Sequence, residues 1–382
     1  MNELIEQALI DLNKQFGKGT ILPLGSAPED YFTLQVVPTG IKQLDIALGC
    51  GGVPRGRTIE VFGPYSSGKS TLATIIGASW QSHCSDAVIG FIEPENTFDM
   101  KYAKKLGVDP DRTLVSQPTS GEDAIDVAAR LFRSGVDLLI VDSVSALIPM
   151  SEANASMSDN FIGAHARLMS RALRVLTPLM NKNKERRSSI IFINQTREKV
   201  GQMFGNPNVT TGGNALPFYA SIRLSLLSGA KEDVLSRTVV DPFSGEKVKE
   251  IYGQKTRITV KKNKVGNPNI ECSFDLVWGE GPDKKTESLD VGLYLGVIKN
   301  PKQGTYIIDI PSALNGATDE YKIRGIEKLK NALFTDESLL NEVNRQIDEI
   351  MLKKLKDPIL LADVDIVNID SLPIEENSGI NV

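Results

Sequence analysis

An α/β fold with a mostly parallel sheet, covered by helices on both faces, follows from three observations. The stretch Gly63-Pro64-Tyr65-Ser66-Ser67-Gly68-Lys69-Ser70 fits G-x-x-x-x-G-K-[ST] and sits between a strand-like run, 58–62, and a helix-like run that begins at Thr71. Its two glycines let successive backbone N–H groups face one anion, the helix start adds its dipole, and Lys69 reaches the outer phosphates while Ser70 is placed to hold Mg²⁺. Downstream, apolar runs of strand length alternate with helical patterns, which implies parallel strands buried on both faces. The informative polar residues fall at the ends of those runs, where open sheets of this class bind ligands.

Composition is that of an ordinary folded chain: 382 residues, 41% hydrophobic and 24% charged. No apolar run approaches the roughly 20 residues that span a bilayer, and Met1-Asn2-Glu3-Leu4 opens without a basic or cleavable apolar segment. An intracellular, membrane-free protein is the expectation. Cys50, Cys84 and Cys272 lie far apart, and His83 and His165 are the only histidines, so neither a zinc spacing nor cysteine chemistry is indicated. The net charge is −5, but the last 26 residues hold six acids and no Lys or Arg, and removing those six leaves +1 for residues 1–356. A near-neutral body of this kind accommodates a basic groove, and the acidic end reads either as a solvated, disordered tail or as a segment that competes with polyanions for that groove.

In chain order, residues 3–16 place Leu4, Ile5, Ala8, Leu9, Leu12 and Phe16 at helical spacing, and Phe16-Gly17-Lys18-Gly19 ends the helix. So apolar a stripe needs a partner, either this chain's core or a neighbouring subunit, and 26–31 reads as a linker. Residues 36–62 are dense in turns before the 58–62 strand. Past the loop come strand 87–92, helix 100–106, strand 113–116, helix 121–133, strand 138–141 and strand 188–193. The 121–133 helix carries acids early and arginines late and is closed by Gly135, as the helix dipole favours.

Asp142 ends the apolar 138–141 strand downstream of the phosphate loop, which suits a carboxylate that holds Mg²⁺ or its water. Strand 87–92 runs into Glu93-Pro94-Glu95, and either acid could orient an attacking water as general base. Two segments interrupt the alternation. Residues 150–163 are small, polar and aperiodic; residues 197–214 are rich in Gly, Asn and Thr, with Met203 and Phe204 set among polar neighbours. Long loops inside a compact domain are usually functional, and this composition offers phosphate donors and a stacking or wedging face. The run 258–265 reads as a strand ending in a basic cluster, which composition alone makes a solvated edge. From about 281 a mixed region with helices near 321–333 and 337–354 reads as a small second domain.

These residues together resemble the bacterial RecA recombinases, cellular or phage-encoded. The resemblance rests on Lys14-Gln15-Phe16-Gly17-Lys18-Gly19, 44–52, the phosphate loop, Tyr102-Ala103-Lys104-Lys105-Leu106-Gly107-Val108-Asp109 and Val141-Asp142-Ser143. It continues through Phe192-Ile193-Asn194-Gln195, Met203-Phe204-Gly205-Asn206-Pro207, 210–216, Phe218-Tyr219-Ala220-Ser221 and Lys262-Asn263-Lys264, covering about 10–284. It implies a RecA-type phosphate-loop ATPase core at 35–284, an N-terminal helix arm and linker at 1–34, a small α+β domain at 285–356 and an acidic tail at 357–382.

The same resemblance assigns roles. Glu95 takes the place of the catalytic glutamate, and Gln195 that of the glutamine sensing the ATP γ-phosphate. Asp99 and Tyr102 fall at the adenine, and Thr71 completes the nucleotide loop. The first DNA loop corresponds to Met157, Ser158, Asp159, Asn160, Phe161, Ile162 and Gly163, with Arg167 beyond it. The second spans about 196–216 and includes Arg197, Met203, Phe204, Gly205, Asn206, Thr210, Thr211, Gly212, Gly213 and Asn214. Lys262 and Lys264 match lysines that enter the neighbouring subunit's ATP site, and Phe218 lies where ATP state passes between subunits. Pro217 departs from the family's usual basic residue, 228–252 is longer than typical with a turn or hairpin at 241–245, and 285–382 matches loosely. The implied activity is DNA-dependent ATP hydrolysis with Mg²⁺ by a helical filament on single-stranded DNA, which pairs homologous double-stranded DNA and exchanges strands in the bacterial cytoplasm, with accessory recombination proteins. The alternatives are a ring-type helicase ATPase and an ATP-gated scaffold on single-stranded DNA.

Overall fold

The computed structural model describes residues 2–17, 20–26, 34–153, 163–181, 186–198, 208–227, 233–241, 243–311 and 318–356. The 26–31 linker beyond Ser26, residues 157–162 of the first expected DNA loop, 199–207 of the second and the acidic tail therefore lie outside the described residues. The chain divides into two compact units, 1–35 and 36–382. In the first, helix α1 (Glu3–Phe16) starts at Asn2, whose side chain accepts from the Leu4 N–H, and has Glu3 and Glu6 in its first turn. Its apolar residues Leu4, Ile5, Ile10 and Phe16 are exposed.

The second unit begins with β1 (Val36–Val37), α2 (Lys42–Leu48) and β2 (Val53–Pro54), followed by β3 (Thr58–Gly63), α3 (Lys69–His83), β4 (Ile89–Ile92), α4 (Met100–Lys105) and β5 (Thr113–Ser116). Next come α5 (Gly121–Arg133), β6 (Leu138–Val141), α6 (Met150–Ala153), α7 (Ala164–Met180), β7 (Ser189–Glu198), β8 (Asn208–Thr210), α8 (Ala215–Tyr219) and β9 (Ile222–Leu227). The remainder is β10 (Val234–Val240), β11 (Lys247–Asn263), β12 (Ile270–Val277), β13 (Gly281–Pro282), α9 (Lys284–Tyr294), β14 (Ile298–Lys302), β15 (Thr305–Pro311), β16 (Thr318–Arg324), α10 (Ile326–Thr335) and α11 (Glu337–Lys356).

The main sheet has the order β13-β12-β11-β9-β3-β7-β6-β4-β5, with β10 and β8 paired to its side. From β9 to β5 every neighbour is parallel; β11, β12 and β13 are antiparallel. Alternate residues of the parallel strands feed two cores. Ile59, Val61, Ile191 and Ile193 pack with Leu72, Ile76 and Trp80 of α3, and Ile190, Phe192, Leu139 and Val141 pack with α5 and α7. This is why the strands read as continuous apolar runs: both faces are covered. A third core under the β14-β15-β16 sheet joins α9, α10 and α11 through Val291, Ile308, Leu329, Leu333, Val343 and Ile347.

Several expected boundaries move. Helix α3 starts at Lys69 rather than Thr71, because Gly68 takes the left-handed N-cap conformation and turns the chain into the helix there. Strand β7 continues beyond Ile193 to Glu198, and β11 begins at Lys247, so the basic cluster of 258–265 ends a long strand rather than forming a short one. The helix expected at 321–333 is a strand followed by a helix: Tyr321 and Ile323 alternate inward on β16, and Gly325 at φ +88° breaks the chain before α10. The turn-rich 36–62 segment contains α2, which is too short and too completely buried to show a 3.6-residue stripe. The 241–245 turn closes the β10–β11 hairpin.

Candidate active site

Strand β3 delivers the chain to the phosphate loop at Gly63. A Cβ there would lie 2.3 Å from the Leu226 carbonyl oxygen, so only glycine lets the loop leave the sheet at this point. The Lys69 side chain is 8% exposed; its Nζ donates to the Pro64 carbonyl at 2.6 Å and lies 3.5 Å from Ser67 Oγ. Burial lowers its pKa, and the negative charge of Asp142 opposes that shift. Burial also raises the Asp142 carboxyl above the usual range; the Ser70 hydroxyl bond lowers it, and Glu95 and Glu93 add to the rise. Lys69, Ser70, Glu93, Glu95 and Asp142 thus form one electrostatic cluster at the carboxyl ends of β3, β4 and β6. Pro64, Tyr65 and Ser66 are exposed along the rim.

The two acids after β4 are held differently. Glu93 is buried, and both its oxygens accept from the Thr97 N–H at 3.0 Å while Oε1 also takes the Thr97 hydroxyl at 2.8 Å. Its carboxylate is therefore engaged in shaping the 93–97 turn. Glu95 is exposed and accepts from Ser143 Oγ at 2.7 Å, and that hydroxyl is within 2.7 Å of Ser145 Oγ. One acid is locked; the other faces solvent from a fixed direction. Among the described residues no group of three or more His, Cys, Asp or Glu could hold a metal ion. The Ser70–Asp142 pair still suits Mg²⁺, which typically takes one or two protein oxygens and completes its shell with phosphates and water. The raised Asp142 carboxyl, to which Glu95 and Glu93 contribute, shows a local excess of negative charge that a cation would relieve.

Asp99 caps α4, accepting from the Lys101 and Tyr102 N–H groups at 2.9 and 3.0 Å. It borders a depression of about 360 Å³ with Lys101, Tyr102, Lys105 and Gly279. Gln195 lies opposite Gly63 in the parallel β3–β7 ladder, so phosphate loop and β7 leave the sheet side by side.

Beyond Gln195 the structure differs from the open 196–216 loop expected. Thr196, Arg197 and Glu198 pair antiparallel with Thr210, Val209 and Asn208, which zips together the two ends of the segment that holds Met203 to Asn206. Asn194, wholly buried, secures the return: its Nδ2 donates to the Thr211 carbonyl at 2.9 Å and to Glu60 Oε1 at 3.0 Å, and its Oδ1 accepts from the Gln195 N–H and the Thr211 hydroxyl. Glu60, also wholly buried, accepts from Arg223 Nε at 2.5 Å, and that guanidinium lies 4.5 Å from the Phe62 ring centroid. Gly212 and Gly213 follow with φ +91° and +72°; a Cβ on Gly213 would come within 2.9 Å of Ala166 Cβ on α7. Asn214 precedes α8 and is exposed. Gly163 caps α7, and Arg167 is exposed one turn on, while 157–162 and 203–206 lie outside the described residues.

Lys262 and Lys264 are not in the Lys69 cluster. Lys262 Nζ donates to the carbonyls of Pro217 at 2.7 Å and Phe218 at 3.0 Å, and burial, then Lys264, then Arg223 lower its pKa. Lys264 is exposed, and the Phe218 ring is 76% exposed against an edge of Tyr219.

A profile of the RecA N-terminal domain matches residues 3–283. The chain belongs to the RecA family. It is 46% identical over 295 residues to Protein RecA of Geobacter sulfurreducens, covering 77% of this chain and 82% of that one. It is 42% identical over 347 residues to Protein RecA of Caldanaerobacter subterraneus subsp. tengcongensis, covering 90% and 92%. Over 364 residues it is 40% identical to Protein RecA of Mycobacteroides abscessus, covering 95% of each. Within this RecA framework, motif reading passes over the Glu60–Arg223 pair and gives Ser143, quoted beside Asp142, no role of its own. Glu60 carries a visible signal, a charge within the otherwise apolar run 58–62; Ser143 carries none beyond its place after Asp142.

Proposed function

We infer that this chain performs its RecA role as an ATP-dependent recombinase in recombination and repair by assembling on single-stranded DNA, pairing it with a homologous duplex and exchanging strands. The observation that carries the catalytic part is the separation of Glu93, engaged with Thr97, from Glu95, held toward solvent by Ser143 beside Lys69, Ser70 and Asp142. Lys69 exchanges the Pro64 carbonyl for the outer phosphates of ATP. Ser70 and Asp142 would hold Mg²⁺, which would neutralise charge on the phosphates. Glu95 orients the attacking water and takes its proton, and Ser143 fixes the carboxylate's direction.

Gln195 lies beside Gly63, where β3 gives way to the phosphate loop, and β7 runs on from it toward the second DNA loop, so a change at the γ-phosphate reaches the DNA contacts through one strand. The loops hold the DNA backbone and spread bases while base pairing tests homology. Lys262 and Lys264 serve the ATP site of an adjacent subunit, a reading supported by their place outside this chain's own cluster: the charges that act on Lys262 are those of Lys264, Arg223 and Glu60, and Lys264 is exposed. No helix among the described residues is long and apolar enough to cross a membrane, and the site of action is the bacterial cytoplasm. Relatives named RecA across most of the chain favour this reading over a ring-type helicase ATPase or an ATP-gated scaffold on single-stranded DNA. The test is strand exchange with homologous and heterologous duplexes: product from the homologous duplex alone, lost in Lys69→Ala, supports it, and equal product from both refutes it.

A further inference from the structure

The phosphate loop is also held from the antiparallel wing of the sheet, by a residue outside every nucleotide-binding motif. Gln254 lies on β11 where the strand is paired on both sides, opposite Val234 of β10 and Leu276 of β12. Its Nε2 donates to the Ser66 carbonyl at 3.0 Å. Ser66 has φ +56°, one of few non-glycine residues among those described that take a left-handed conformation, and such a residue persists only where its surroundings hold it. Two residues further on the same face of β11, Thr256 is wholly buried, and its Oγ1 would lie 3.5 Å from a Cβ on Gly68. The underside of the loop therefore rests on one face of one doubly paired strand.

In a planar trans peptide the C=O and the following N–H point in opposite directions. Anchoring the Ser66 carbonyl on Gln254 turns the Ser67 N–H away from β11. We propose that Gln254 is a positioning residue of the phosphate loop: by fixing the Ser66–Ser67 peptide it presents the Ser67 N–H to the nucleotide phosphates before they arrive. This rests on reading the loop as the ATP site. Because the side chain acts on the ground-state cradle and not on the reacting atoms, its loss weakens nucleotide binding and leaves turnover at saturation unchanged.

The test uses the full chain and a fluorescent, slowly hydrolysed ATP analogue with Mg²⁺. Gln254→Met keeps length but removes the donor; binding is expected to weaken about 3- to 10-fold, the usual effect of one such bond, with DNA-stimulated hydrolysis at saturating ATP within about twofold of wild type. Gln254→Glu sets a carboxylate against a carbonyl and binds more weakly still at pH 8. Near pH 5 its protonated carboxyl donates an O–H to Ser66, so its affinity, relative to wild type at the same pH, recovers toward the unsubstituted protein while that of Gln254→Met does not. Wild-type affinity in Gln254→Met, or parallel pH profiles for the two variants, overturns the proposal while the Lys69→Ala defect keeps the ATP site in place. Wild-type protein that fails to bind the analogue overturns both.

Discussion

Replacing Asn194 probes the buried network that joins the phosphate loop's strand to the return of the second DNA loop. Asn194→Ala strips a partner from Glu60 Oε1, from the Thr211 carbonyl and hydroxyl, and from the Gln195 N–H. At about 1–3 kcal/mol for each of the three other groups left unsatisfied, with Glu60 retaining Arg223, the sum is about 3–9 kcal/mol, and the partial exposure of Thr211 and Gln195 sets the expected loss at its lower end. Asn194→Asp is the sharper variant. It brings a second carboxylate to about 3 Å from Glu60, a repulsion of about 5 kcal/mol at an effective dielectric of 20, so the folded pair retains one proton at neutral pH. The unfolded chain has released that proton above about pH 4–5. The variant's stability relative to wild type therefore falls as pH rises through and beyond that value, and recovers as pH falls. Urea denaturation at pH 5, 6.5 and 8, read by tryptophan fluorescence, measures both effects. Salt-dependent binding to single-stranded DNA, at a temperature where Asn194→Ala is folded, reads the loop. Asn194→Asp within about 1 kcal/mol of wild type at pH 8, or a deficit independent of pH, refutes the electrostatic reasoning. Unchanged DNA affinity in Asn194→Ala removes the link to the loop.

Three further outcomes are expected. Burial pushes the Asp45 carboxyl up to about 7, so the folded chain keeps a proton that the unfolded chain gives up near pH 4; stability falls as pH rises from about 4 to 7, by up to about 4 kcal/mol. Asp45→Asn retains an acceptor for the Thr39 N–H and should flatten the dependence measured by denaturation at pH 5 and 8. Glu95→Gln should bind ATP and DNA yet hydrolyse at least ~10²-fold more slowly, with a smaller loss in Ser143→Ala; steady-state hydrolysis beside DNA binding checks this, and DNA-binding failure equal to that of Lys69→Ala would make Glu95 structural. Lys264→Ala, which leaves the Lys262 bonds to Pro217 and Phe218 intact, should lose DNA-stimulated hydrolysis and regain part of it when co-assembled with Glu95→Gln, an outcome that requires sites shared between chains.

The phosphate loop, the parallel sheet and the position of Asp142 were legible in the chain because each depends on neighbours in sequence. A glycine-rich turn, a strand's apolar run and the residue that ends it are local, and both faces of β3, β4, β6 and β7 are buried, so their apolar runs are continuous. Periodicity misled where alternation and helical spacing overlap, as at Tyr321 and Ile323, whose pairing with β15 is a contact between distant parts of the chain. The family resemblance points to Glu95 over Glu93 without giving a physical reason. The contacts supply one: Thr97, four residues on, engages Glu93, whereas Glu95 is held by Ser143 from a distant strand end. Glu60, Asn194, Thr211 and Arg223 come from four separate segments, as do Gln254 and Ser66, and no spacing rule connects them. Local chemistry determined that this chain carries a phosphate-loop motif at the end of a parallel strand; packing decided how each carboxylate beside it is engaged, and what holds that loop and the 196–216 segment in register, because buried polar groups take their partners from whatever element the fold brings within 3 Å.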